Sequence, residues 1–346
     1  MKMTIASIVA GLILLCAPAA VAQKVGTSSL QFLKVMPDAR GTAMGDALAS
    51  VASGANAVFW NPAGIAHAEA IEVTGTTTKW LFDARQHAVA AAIPLDNWGT
   101  VAVQFQYVDY GTMLVTRADR LEFVGTGSNV RYNPGLTGET FDPATLLIGV
   151  TYAKKMTDKF STGVTVKLIN ESLWSSSTWT YTTISGGMET VNTYARLVLF
   201  DFGLQYNTGY RTVKVSASVQ NFGAQVKFAK EGFPAPLAFR IGTAADIVGA
   251  NALLAESEDN RITLAYDLFQ PNDYKQQMHL GMEYGFSDAI FLRAGYKFYY
   301  DNDGLTAGAG VRQTVAGFPL SLDYSYGSMG EYLPAVHRIG LGVQLP

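Results

Sequence analysis

The sequence predicts an all-β protein: a transmembrane antiparallel β-barrel of about fourteen strands, with an N-terminal segment folded into the lumen as a plug that contains a short helix. Three observations predict it. Beyond residue 70, apolar residues alternate with polar residues or glycine in run after run, the period of a strand with two unlike faces. Each run is about ten residues long, enough to cross a bilayer when tilted and longer than the roughly 5–6 residues usual in soluble sheets. Only 15% of the 346 residues are charged, while aromatics reach 12% and glycines number 34, a balance that suits a wall facing lipid outside and water inside.

The chain opens with a secretory signal peptide over residues 1–22. Lys2 is its positive end, Ile8 to Ala17 its apolar centre, and Ala20-Val21-Ala22 its small-residue cleavage site, so Gln23 is expected to begin the mature chain. The one cysteine, Cys16, lies in the apolar centre behind Leu15, where a lipid-modified cysteine would follow a small residue. It is expected to leave with the peptide, so the mature chain has no disulfide and no thiol chemistry. No other stretch approaches the ~18 apolar residues of a membrane helix, although the mean hydropathy is +0.14.

Residues 23–69 do not alternate. Ala43 to Ala52 is a run of small residues that predicts one short helix, and Asn61-Pro62 starts a turn that Gly64 can complete. Phe32, Leu33, Met44, Val58, Phe59 and Trp60 are too apolar for a free tail. A barrel of about fourteen strands is too wide to be filled by its own side chains, and a folded segment can close it. Residues 23–69 are therefore expected to be a hatch, and residues 70–346 the barrel.

The expected strands cover about 70–80, 87–94, 99–110, 145–156, 159–171, 195–208, 211–220, 237–247, 260–269, 276–285, 289–300, 305–315, 318–326 and 336–345. In Lys159 to Glu171, for example, Phe160, Val164, Val166 and Leu168 oppose Ser161, Gly163, Thr165 and Lys167. A soluble sandwich also alternates, but it does not need ten-residue strands or a charged second face. Tyr107, Tyr110, Tyr152, Tyr206, Tyr210, Tyr299, Tyr300, Tyr324 and Tyr326 gather at strand ends, where amphipathic rings favour the membrane boundary. Alternate connections are short, at Asp96-Asn97, Thr157-Asp158, Asn207 to Gly209, Ser287-Asp288 and Ala316-Gly317, with one longer exception near 248–259. The others, near 111–144, 172–194, 221–236 and 327–335, include the long ones, expected outside the cell.

Three ordered segments carry a family resemblance: Ser29 to Val35, Asp38 to Ala47, and Ala55 to Gly64 with its Asn61-Pro62-Ala63-Gly64 box. They resemble the N-terminus of the PorV/PorQ family, part of the wider FadL-like group of outer-membrane barrels. The resemblance implies a fourteen-stranded barrel with an N-terminal hatch, bathed by outer-membrane lipid. It implies an accessory role in type IX protein secretion, with translocon or attachment proteins and exported cargo as partners. FadL-like relatives instead pass hydrophobic small molecules, such as long-chain fatty acids, through the lumen. Many outer-membrane barrels end on an aromatic residue, whereas this chain ends Leu345-Pro346.

Nothing in the residues points to an enzyme, a cofactor or a metal. His67, His87, His279 and His337 have no ligand spacing, and no nucleophile elbow or phosphate loop occurs. Gly125 to Asn129 reads as a flexible loop, Asp301 to Gly304 as a hairpin turn and Glu256 to Asp259 as a solvated turn. A net charge of -3 offers no basic stripe for nucleic acid. Lys167, Lys214, Arg240, Arg261, Arg293, Lys297, Arg312 and Arg338 fall on expected inner faces, beside Asp201, Asp246, Asp267, Glu283 and Asp323. They are either ion pairs that fix the hatch or an anion-attracting lining for a carboxylate ligand. Trp174, Trp179 and Tyr181 mark an expected outer loop as a partner contact.

Overall fold

The computed structural model describes residues 26–182, 186–228 and 231–345. The expected signal peptide, residues 1–22, lies outside the described residues. Fourteen strands form one closed antiparallel barrel. They are β1 (Ile71–Lys79), β2 (Arg85–Pro94), β3 (Thr100–Asp109), β4 (Ala144–Lys155), β5 (Phe160–Ser172), β6 (Tyr194–Asn207) and β7 (Lys214–Gly223). The second half is β8 (Ala238–Val248), β9 (Asn260–Pro271), β10 (Gln277–Phe286), β11 (Ile290–Phe298), β12 (Leu305–Val315), β13 (Phe318–Gly327) and β14 (Val336–Leu345). Each strand pairs with its neighbours in sequence, and β14 closes on β1 from Ile71–Leu345 to Lys79–His337.

The period of two sets the wall. Along β6, Ala195, Leu197, Leu199 and Asp201 point inward and are buried, while Val198, Phe200, Phe202 and Leu204 point outward. Leu168, Ile241, Leu292 and Leu341 are each more than half exposed on that outer face. A closed barrel leaves no unpaired strand edge, and an apolar exterior of this kind is solvated by hydrocarbon, not water. Rings cluster toward the strand ends on the outside, among them the edge-to-face pairs Tyr296 with Phe298 and Tyr326 with His337. Two of the expected boundary tyrosines do not join them. Tyr300 is turned inward onto His279, and the Tyr110 hydroxyl sits 3.3 Å from Thr145 Oγ1.

The longest connections all lie at one end of the barrel, although 249–259 at the other end is also long and 80–84, 272–276 and 299–304 are short; the long ones are not all irregular. Met113–Val124 pairs with Arg131–Phe141, Thr178–Thr182 with Met188–Asn192, and Val226–Phe228 with Glu231–Phe233. Gly125 to Asn129, expected as a flexible loop, is the tip of the first hairpin and holds one 3-10 turn at Gly127–Asn129. The polar composition of these segments hid strands that have no lipid-facing side.

Residues 26–69 pack against inward-facing wall residues and contain α1 (Ala39–Ala43) with 3-10 turns at Gln31–Lys34, Ala55–Phe59 and Pro62–His67. The helix expected over 43–52 is instead α1. Asp38 caps it by accepting from Gly41 N at 2.8 Å, and Gly45 and Asp46, at φ of 64° and 65°, end it. Gly281 and Gly295 let the backbone at this bend touch the wall, where a methyl group would collide with Met44 and Gly45. Facing alanines do the same elsewhere: Ala88, Ala90, Ala92, Ala102, Ala153, Ala244 and Ala265 join Met44, Leu48, Trp60 and Ile65 in one buried cluster.

Candidate functional site

The lumen has two chemically different walls. One, from β8 to β14, carries a buried ionic network that reaches the N-terminal segment, residues 26–69, expected as a hatch. Arg240 on β8 donates from Nη1 to the Asp46 carbonyl at 2.7 Å, to Asp267 Oδ2 at 3.3 Å and to His279 Nδ1 at 3.1 Å. Accepting at Nδ1 leaves the His279 proton on Nε2, 2.8 Å from the Tyr300 hydroxyl. The Arg240 guanidinium also lies over the rings of Phe269 and Trp60, at 4.6 and 5.4 Å. Glu283 on β10 accepts from Arg40 of the hatch at 2.9 and 2.8 Å and from Arg293 at 2.7 Å. Arg293 donates onward to Asp323 at 2.6 Å. Lys297 lies 2.7 Å from Asp46, and Arg338 donates to the Met36 carbonyl at 2.9 Å.

The hatch side of these contacts is ionised. Burial works against the Arg40 charge, but Glu283 outweighs it and raises the pKa. Burial likewise pushes the Asp46 carboxyl up, and the basic groups around it, Lys297 foremost, more than reverse it. For Asp38 burial wins: the carboxyl is raised even though Gly41 and Trp60 donate to it. At the long-loop end, Asp273 gathers Lys34 Nζ at 2.5 Å, Gln31 Nε2 at 3.1 Å and the Ser28 hydroxyl. These bonds hold its carboxyl below the usual range, against burial, which is the largest single influence.

The expected inner-face cations thus divide. Arg240, Arg293, Lys297 and Arg338 belong to the hatch network. Arg261 and Arg312 do not join it directly. They line a cavity of about 640 Å³ at the short-turn end, where Arg261 meets Asp288 at 3.2 Å and Arg312 covers the Phe291 ring at 4.6 Å. Lys167 pairs with Asp201 at 2.6 Å within the wall itself. Most of these inner-face charges thus sit in ion pairs. The Asn61-Pro62-Ala63-Gly64 box lies against β5 and β6. Asn61 Oδ1 accepts from Ala63 N at 3.1 Å, and its Nδ2 donates to Leu204 O at 3.0 Å. Gly163 and Gly203 face Asn61 and Pro62 so closely that a side chain at either would strike them.

The other wall is apolar. Val108 on β3, Leu147 on β4, Ile169 on β5 and Ala195, Leu197 and Leu199 on β6 all point inward and are buried. Leu30, Phe32 and Leu33 of the hatch occupy this stripe. The expectation of a polar inner face missed it. The runs Leu146-Leu147-Ile148 and Leu197-Val198-Leu199-Phe200 are the available signal, since both faces of such a strand are apolar. Toward the long-loop end, on the side of the ionic wall, a cavity of about 460 Å³ opens, lined by Lys34, Met36, Asp273, Lys297, Tyr300 and Arg338 among others.

The expected contact residues of the outer loop are partly consumed in packing. Trp174 is half-buried between Phe141 and Trp179, with ring centroids 4.7 and 4.5 Å away, and so joins two hairpins. Trp179 and Tyr181 each keep more than a third of their surface exposed, with Tyr181 donating to Glu189 at 2.7 Å.

No protein-family model and no curated protein matches the chain. Among solved structures it is similar to the Pseudomonas putida toluene transporter TodX, with 14% identity over 88% of this chain and 96% of that one, at a TM-score of 0.55. It is similar also to the CymD monoaromatic hydrocarbon channel, with 11% identity over 89% and 96% of the two chains, at a TM-score of 0.53. What the chain shares with them is the fold.

Proposed function

We propose that this protein is an outer-membrane barrel, exported with a cleaved signal peptide of residues 1–22, that passes hydrophobic small molecules inward through its lumen and catalyses no reaction. Residues 23–69 act as its hatch and residues 70–346 as the conduit. The observation that carries this reading is the inward apolar stripe from Val108 to Leu199, filled by Leu30, Phe32 and Leu33. A water-filled pore has no use for such a stripe, whereas an apolar solute gains by entering it. The named activities of TodX and of CymD, on toluene and monoaromatic hydrocarbons, agree with it.

The test is uptake of radiolabelled toluene by cells that carry this barrel as their one such channel. Leu147→Asp and Leu199→Glu place charge on the stripe. Both should abolish uptake while the protein still migrates as a folded barrel in unheated gels. Uptake that survives both substitutions sinks the reading. A second reading, accessory work in type IX secretion, is favoured by the resemblance of residues 29–64 to PorV/PorQ and by the aromatic contacts of Trp174 and Trp179. Gentle detergent extraction followed by mass spectrometry separates the two: a translocon barrel or exported cargo for the second, bound apolar compounds alone for the first.

A further inference from the structure

A further pocket lies at the short-turn end of the lumen, apart from the one lined by Arg261 and Arg312. It has a volume of about 420 Å³. Lys155 and Lys159 flank it from the β4–β5 turn, Lys214 from the start of β7, and His67 from the end of the hatch. Val51 and Ala52 supply an apolar face. Short turns of outer-membrane barrels are periplasmic, so this pocket opens to the periplasm.

Its charge is unbalanced. Three ammonium groups share the lining with one carboxylate, that of Asp158. Among the described residues none of the three lysines forms a salt bridge, in contrast to Lys167 and Lys297 higher in the lumen. Asp246 acts on Lys214 through space, but not at contact distance. The His67 ring has Ser161 Oγ at 3.4 Å from Nε2. Burial first, and then the fields of Lys155 and Lys214, hold its pKa down to about 4. The ring thus lies within the fields of two of the three lysines. Like charges held together against a low-dielectric wall repel, and an anion among them relieves the repulsion.

We infer that this pocket binds a small organic anion, bearing a carboxylate or a phosphate ester, from the periplasmic side. Lysines supply point charges without the fixed fork of arginine, so they accept either group. The volume lies within the roughly 300–1,000 Å³ of small-molecule sites and leaves room for an organic body against Val51 and Ala52. The inference does not depend on passage of apolar compounds.

The experiment titrates the full-length protein, in a neutral detergent, with benzoate, benzyl phosphate, inorganic phosphate and benzyl alcohol by calorimetry at low salt. Binding of benzoate or benzyl phosphate is expected, tighter than inorganic phosphate, with none for benzyl alcohol. Lys155→Gln with Lys214→Gln should weaken it by roughly tenfold or more. A second readout is the imidazole resonance that disappears in His67→Gln. Its pKa should rise from about 4 toward the ordinary ~6.5 when benzoate is bound. No binding of either organic anion overturns the inference. So does binding that the double variant retains, that inorganic phosphate matches, or that leaves the His67 titration unmoved. Loss of toluene uptake in the Leu147 variant, by contrast, would not alter any of these results.

Discussion

Replacing Glu283 by Gln should loosen the hatch without opening the barrel. The carboxylate accepts two bonds from Arg40 and one from Arg293, and it is buried. Glutamine keeps the volume and removes the charge. Arg293 retains Asp323 at 2.6 Å, so the larger injury falls on Arg40, which keeps no partner at contact distance on the wall. Removing one member of a buried ion pair costs about 3–5 kcal/mol. The surviving Arg293–Asp323 contact argues for the lower end, about 3 kcal/mol, or roughly a hundredfold in the closed-to-open ratio of the hatch. The barrel ladders are untouched, so the cost should appear as local opening. The assay is maleimide labelling of Ser50→Cys, a near-isosteric change at a position 2% exposed, with Cys16 changed to Ala. Labelling should quicken roughly a hundredfold in Glu283→Gln and largely recover when Arg40→Met is added, because no unpaired charge then remains. An unchanged rate in the single variant, or a double variant no better than the single, would refute this account of what holds the hatch.

Asp273→Asn should free residues 28–34 to proteases while leaving Ser50→Cys protected, because its three partners all lie in that stretch. The same latch should respond to acid. The Asp273 carboxyl is held below its ordinary value, so the latch is complete above about pH 4 and is lost as pH falls through the lowered value. Proteolysis that is flat from neutral pH down to pH 3 would contradict the assignment. Gly295→Ala should disturb the seat of the hatch, since its methyl would meet the Gly45 and Met44 backbone, and should cost about 1–3 kcal/mol. A thiol at Ser50 should then label faster. Ile241→Arg, on the outer face of β8, should lower barrel stability in lipid by about 2–4 kcal/mol, measured by denaturant titration in vesicles. No change there would mean that this face does not meet hydrocarbon.

The barrel was legible because its physics is periodic. A ten-residue strand with one lipid face announces itself in every run from Ile71 to Leu345, and the turn residues phase the strands. The hairpins at 113–141 and 178–192 lack a lipid face and carried no such signal. The inner-face cations could be named one by one, because alternation fixes which way a side chain points. Their partners could not. Arg40 and Glu283 are 243 residues apart, and no local pattern joins them. The apolar stripe was missed for a different reason. Polar lumens are the general rule for barrels, and Leu197 and Leu199 break it locally. Such exceptions to a strong rule are where a function is expressed.

The two walls of the lumen have unequal consequences for the hatch. Leu30, Phe32 and Leu33 bury apolar surface on the stripe, worth about 1.5–3 kcal/mol per side chain. A hydrophobic solute that took their place would cover the same surface, so much of that loss would be offset. Nothing apolar can replace Glu283 against Arg40 or Asp46 against Lys297, because each exchange would strand a buried charge. Under the proposed function the solute therefore displaces residues 30–33 while residues 38–48 stay fixed to β10, β11 and β13. Two thiols separate these motions. With toluene present, Leu33→Cys should label faster with maleimide, and Ser50→Cys should label at its former rate. If both thiols open together, the hatch moves as one body and the division of the lumen into a yielding wall and an anchoring wall is wrong. If neither responds, the stripe is core packing and not a path.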